Sequence, residues 1–215
     1  MMKAKISWRI AKEGLVAILR GLEEDAALKT AQALMQGGVK VMEVTLNTKG
    51  ALDAISLLAA ELGEEMLIGA GTVLDPEGAF AAINAGAEFL VTPTVNPEVL
   101  KVANRYGKPV LAGAMTPTEA LTAMEFGAEF VKVFPAVSLG PSYIRQLQGP
   151  LPQIPLVAVG GVTVDNAASF LQAGAVAVGV GSVLLDKAAI DRGDWDLITQ
   201  KAEKFVEAVA QGRES

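Results

Sequence analysis

Four glycine turns recur along this chain, and each one opens into an apolar run. They are Gly37-Gly38-Val39-Lys40-Val41, Ala85-Gly86-Ala87-Glu88-Phe89, Phe126-Gly127-Ala128-Glu129-Phe130 and Ala173-Gly174-Ala175-Val176-Ala177. The glycines at 38, 86, 127 and 174 lie 48, 41 and 47 residues apart. One strand–helix unit is shorter than that interval, so each interval holds two. A second apolar run duly sits before or within each: Leu15 to Leu19, Met66 to Ala70, Pro109 to Ala112 and Pro155 to Val159. Eight short strands therefore alternate with helical stretches.

The helical stretches carry their own start signals. Thr116-Pro117-Thr118-Glu119 is a capping box with proline at the first helical position, and Asp75-Pro76 and Asn96-Pro97 repeat the cap-then-proline pattern. Between Glu23 and Gln36 the apolar residues Leu28, Ala31 and Met35 are spaced to share one buried helix face. Eight strand–helix units in 215 residues predict a (β/α)8 barrel, with an open doubly wound sheet as the competing topology. Met1 to Lys12 reads as an extra N-terminal helix that closes the bottom of the barrel. No linker-like stretch interrupts the pattern, so residues 1–215 read as a single barrel domain.

Composition narrows the chemistry. The chain has no cysteine and no histidine, which removes thiol nucleophiles, imidazole relays and the usual zinc ligand sets. Its net charge of −6 disfavours a nucleic-acid surface. No apolar stretch has the length and continuity of a membrane span or a signal peptide, so a cytoplasmic location is expected. Acid–base work then falls to carboxylates, lysine, tyrosine or water.

In a barrel the chemistry belongs at the C-terminal ends of the strands, and a few residues there stand out. In Phe130-Val131-Lys132-Val133-Phe134, alternation puts Lys132 on the same face as Phe130 and Phe134. In Val41-Met42-Glu43-Val44-Thr45 it puts Glu43 with Val41 and Thr45. A parallel strand, covered on both faces, has no structural use for either charge. Strands two and six lie across the barrel from each other, so an inward lysine and an inward glutamate can meet near its axis. An amine kept from water loses its proton readily and can attack a ketone to form a Schiff base, with the carboxyl group moving protons. A lysine that snorkels out of the mouth, or an ion pair with Glu43, is the structural alternative. Gly160-Gly161 after strand seven and Gly179-Val180-Gly181-Ser182 after strand eight mark a phosphate cradle, where ordinary tight turns would also use glycine. Gly69-Ala70-Gly71-Thr72 ends strand three and offers Thr72 to a carboxylate. Arg20, ending strand one, can clamp the same group.

Together these segments resemble the class I 2-keto-3-deoxy-6-phosphogluconate / 4-hydroxy-2-oxoglutarate aldolase family over nearly the whole chain. The resemblance rests on Ala17-Ile18-Leu19-Arg20, Glu43-Val44-Thr45-Leu46, Gly69-Ala70-Gly71-Thr72-Val73, Thr92-Pro93, Met115-Thr116-Pro117-Thr118-Glu119, Lys132-Val133-Phe134-Pro135-Ala136, Gly160-Gly161 and Gly179 to Ser182. It implies a homotrimer of barrels, a Schiff-base lysine at Lys132, a catalytic glutamate at Glu43 and no cofactor or metal. Keto-acid binding is implied around Arg20, Thr72, Pro93 and Asn47, and phosphate binding near Gly160, Gly161, Gly181 and Ser182. The implied substrate is a phosphorylated keto-deoxy sugar acid, cleaved to pyruvate and glyceraldehyde 3-phosphate. Unphosphorylated 4-hydroxy-2-oxoglutarate is a further candidate. Asn47, where many phosphogluconate aldolases have arginine, and the run Ala158-Val159-Gly160-Gly161 look more like the 2-keto-3-deoxy-6-phosphogalactonate aldolases, the alternative assignment. A phosphate-binding barrel isomerase or synthase without an imine, and a non-catalytic binding barrel, are the more distant rivals.

Overall fold

The computed structural model describes residues 2–214, with Met1 and its share of the expected N-terminal helix outside that range. Its strands are β1 (Leu15–Leu19), β2 (Val41–Thr45), β3 (Leu67–Gly71), β4 (Leu90–Val91), β5 (Val110–Ala114), β6 (Phe130–Val133), β7 (Leu156–Val159) and β8 (Ala175–Val180). They pair in parallel in sequence order, and β8 pairs back to β1, so the sheet closes into a barrel. The helices are α1 (Met2–Glu13), α2 (Glu24–Gln36), α3 (Ala51–Leu62), α4 (Pro76–Asn84), α5 (Pro97–Arg105), α6 (Pro117–Glu125), α7 (Gly140–Gln148), α8 (Val164–Gln172), α9 (Lys187–Arg192) and α10 (Trp195–Arg213). The expected (β/α)8 barrel with an added N-terminal helix is the fold found, and closure rules out the open sheet.

Two apolar layers explain why these sequences fold so. Outward strand residues such as Met42, Val44, Val131 and Val133 pack against the helices. Inward ones, Val16, Val41, Leu67, Leu111, Phe130 and Val157, fill the barrel. Ile6 and Ile10 of α1 join this inner cluster and plug its bottom, Ile10 with no exposed surface. The other end of the chain is fastened to the same floor: Arg213 of α10 donates to the carbonyls of Ala11, Lys12 and Val176. None of the helices among the described residues is long and apolar enough to cross a membrane.

The expected caps form. Asp75 accepts from the Gly78 amide at 2.6 Å, and Asn96 accepts from Glu98 and Val99. Thr116 and Glu119 complete the capping box of α6. Three details differ from expectation. β4 is only two residues long. The buried face of α2 centres on Ala27, Ala31 and Leu34, with Leu28 and Met35 at its flanks, because the helix lies between neighbours on both sides. Gly179 lies inside β8 rather than after it, where a Cβ would come within 2.8 Å of Val159. The missing side chain makes room for Val159 on the neighbouring strand β7, not for a turn.

Candidate active site

Strand register decides what meets at the mouth. Glu43 is the register partner of Ile18 on β1 and Gly69 on β3, while Lys132 is that of Gly113 on β5 and Val157 on β7. Both side chains point inward and line one small interior cavity with Val16, Val91, Leu111 and Val157. Glu43 is 2% exposed and Lys132 7%. The lysine thus does not snorkel into solvent, and both side chains are buried in the same cavity. Neither forms an ion pair among the described residues, and the buried Glu43 Oε2 has no hydrogen-bond partner.

Electrostatics follow from that dryness. Burial pushes the Glu43 carboxyl group up, opposed by the charges of Lys132 and Arg20. Burial pulls the Lys132 ammonium down, opposed by Glu43 and assisted by Arg20. Both dominant effects favour the uncharged forms, a free amine facing a protonated acid. The Phe134 ring lies beside the amine, its centroid 4.9 Å from Nζ. Gly113 serves the same level differently: a Cβ there would sit 2.2 Å from the Pro93 carbonyl, so glycine admits the Pro93–Thr94 backbone toward the axis. Thr92 fixes that backbone by donating to the Thr94 carbonyl at 2.6 Å and accepting from the Gly113 amide at 3.3 Å.

The remaining sequence-predicted residues, Pro93 excepted, divide between two clefts at the rim. Arg20, Gly160, Gly161, Gly181 and Ser182 line one of about 430 Å³. It shares Ile18, Val159 and Gly179 with the Lys132–Glu43 cavity, so cleft and cavity adjoin. Gly160 and Gly161 have φ of +93° and +75°, a conformation L side chains rarely adopt, which turns the chain sharply at the cleft wall. Asn47 and Thr72 line a second cleft of about 590 Å³, with Leu46, Thr48, Leu74 and Asp75. Pro93 lines neither. Arg20 bridges the division, because its Nη2 donates to Thr72 Oγ1 at 3.4 Å. Thr72 itself has φ +55°, left-handed and unfavourable for a β-branched residue, and such strain collects at functional sites. Sequence reasoning missed Phe134, Gly113 and the role of Thr92. For Phe134 and Thr92 the available signal was their place near Lys132 and beside Pro93 in the chain; Gly113, which meets Lys132 only through strand pairing, had none.

A closed barrel whose mouth holds a buried lysine and a buried glutamate has the groups that a lyase of the Schiff-base aldolase class would use. Comparison with known proteins agrees: the family model described as "KDPG and KHG aldolase" matches residues 6–201. The chain belongs to that family. It is 41% identical to the 2-dehydro-3-deoxy-6-phosphogalactonate aldolase of Escherichia coli K12 over 83% of this chain and 87% of that protein. It is 39% identical to a 2-dehydro-3-deoxy-phosphogluconate aldolase of Pseudomonas aeruginosa, covering 86% of this chain and 84% of that one. Among solved structures, the KDPG aldolase of Legionella pneumophila with pyruvate captured as a covalent carbinolamine superposes with a TM-score of 0.86 at 30% identity, covering 92% and 96% of the two chains.

Proposed function

We propose that this protein is a metal-independent class I aldolase that cleaves a 6-phosphorylated 2-keto-3-deoxy sugar acid. The observation that carries the reading is the dry cavity holding Lys132 and Glu43 with no ion pair between them. In this reading the neutral Lys132 amine attacks the C2 ketone to give a carbinolamine. Glu43 gives its proton to the departing hydroxyl as the imine forms. The iminium then takes the electrons of the C3–C4 bond, and the Glu43 carboxylate accepts the C4 hydroxyl proton. Glyceraldehyde 3-phosphate leaves, the enamine is protonated at C3, and hydrolysis frees pyruvate and Lys132. Arg20, Thr72 and Pro93 hold the keto-acid end. The phosphate lies in the adjoining cleft against the backbone of Gly160, Gly161 and Gly181 and the Ser182 hydroxyl.

Asn47 and Val159 favour a second reading within the same chemistry, the galactonate epimer. Neither offers the cationic or hydroxyl group that many gluconate-specific relatives have there, and Val159 lines both cleft and cavity. The homotrimer is part of the proposal, supported by Phe80 of α4 and Tyr106 after α5, both over two-fifths exposed with ring centroids 5.5 Å apart. So are a single working domain and a cytoplasmic setting, where phosphorylated acids are retained by their charge. The test is to assay both C4 epimers with a chelator present. Pyruvate release from at least one, abolished by Lys132→Ala, is expected. Release from neither, or activity that survives Lys132→Ala, contradicts the reading.

A further inference from the structure

We propose that Gly71 is a positioning residue for Glu43, the absent side chain at 71 being the space in which the carboxyl group sits. A Cβ built on Gly71 would lie 2.5 Å from Glu43 Oε1, 2.6 Å from its Cδ and 2.9 Å from Oε2. Those separations are too short for any real contact, and all three atoms are the end of one side chain. Gly71 is not among the glycines with positive φ, so no turn requires it. Its carbonyl accepts from the Leu46 amide at 2.8 Å, a bond that alanine would keep. The strand therefore tolerates a methyl group here, and the Glu43 carboxyl does not. Gly69, two residues earlier on the same inward face, makes room for the Phe89 ring instead. β3 thus gives up two side chains, one to packing and one to the acid. Lys132 is held from the other side of the barrel by β5 and β7, so a methyl at 71 moves one partner and leaves the other.

For its rate readout the inference rests on the aldolase reading; its structural readout does not. In Gly71→Ala, kcat should fall by about 10²-fold, the scale of an ångström-sized misplacement of a catalytic group, while KM stays within a few-fold. In a Glu43→Ala background the same substitution should cost nothing further, because the group it collides with is gone. Equal losses in both backgrounds, or an unchanged kcat in the single variant, overturn the proposal. Should Gly71→Ala fail to fold, recovery of folding in the Glu43→Ala background supports it, and failure in both overturns it. Independently of any activity, the Glu43 carboxyl resonance of ¹³C-glutamate protein, assigned by its loss in Glu43→Gln, should titrate closer to the ordinary value of about 4.3 in Gly71→Ala than in the parent. An unaltered titration, with Lys132 and Arg20 still facing the group, overturns the inference even if no aldolase activity is found.

Discussion

Lys132 and Glu43 are kept from water by Val16, Val91, Leu111 and Val157, an arrangement that serves reactivity at the expense of stability. Replacing a buried ionisable pair by apolar residues of similar size is often neutral or stabilising, by about 1–4 kcal/mol. The double variant Glu43→Leu/Lys132→Met should therefore melt higher than the parent at pH 7, by about 2–4 °C per kcal/mol in a chain of this size, and be inactive. A lower melting point would contradict this. In Lys132→Met alone, Glu43 loses the cation that opposes its desolvation, so its folded-state carboxyl stays raised. A raised carboxyl contributes stability that is complete below the unfolded value of about 4.3 and is lost as pH rises through the folded value. Melting temperatures of Lys132→Met should thus fall across that window relative to the double variant, and parallel curves would contradict the assignment. Both residues were legible in the sequence because strand alternation makes an inward charge conspicuous. Gly71 was not, since its meaning lies in a side chain on the neighbouring strand that no local pattern reports. Nor was the left-handed backbone of Thr72, which a β-branched residue gives no reason to expect.

At the scale of elements, the boundaries that carried a mechanism were the readable ones. Asp75, Asn96 and Thr116 all accept the amide bonds their position before proline implies. The Thr116 box is the most complete: Glu119 Oε2 accepts from the amides of Met115 and Thr116 and from the Thr116 hydroxyl, and those bonds hold its carboxyl below the usual range. Thr116→Ala should destabilise the fold by about 1 kcal/mol, a typical cost of losing an N-cap, read as a lowered midpoint in urea with an unchanged slope. A midpoint equal to that of the parent would mean the box contributes nothing. Elements defined by their surroundings were harder to read. β4 is short although the apolar run around it is longer, and α2 buries Ala27, Ala31 and Leu34 where the spacing pointed to Leu28 and Met35. Gly179 looked like a turn because glycine's commoner use is in turns, whereas here it leaves room for Val159 on the adjacent strand β7.

For the whole molecule, the interval between glycine turns led to the architecture, since each interval holds two strand–helix units and eight such units close into a barrel that brings β2 opposite β6. The clasp at the barrel floor, where Arg213 meets the end of α1, had no signature in the repeat because it joins the two ends of the chain. The exposed Phe80–Tyr106 pair leads to the assembly prediction. Sedimentation should show a trimer for the parent and a smaller species for Phe80→Asp, and a monomeric parent would contradict it. Closing the ring of strands is also what strips water from Lys132, so the fold and the chemistry meet in one amino group. Borohydride reduction in the presence of pyruvate, followed by peptide mass mapping, tests that most directly. The account predicts a reduced pyruvyl adduct on Lys132 and on no other lysine; an unmodified Lys132, or an adduct elsewhere, would contradict it.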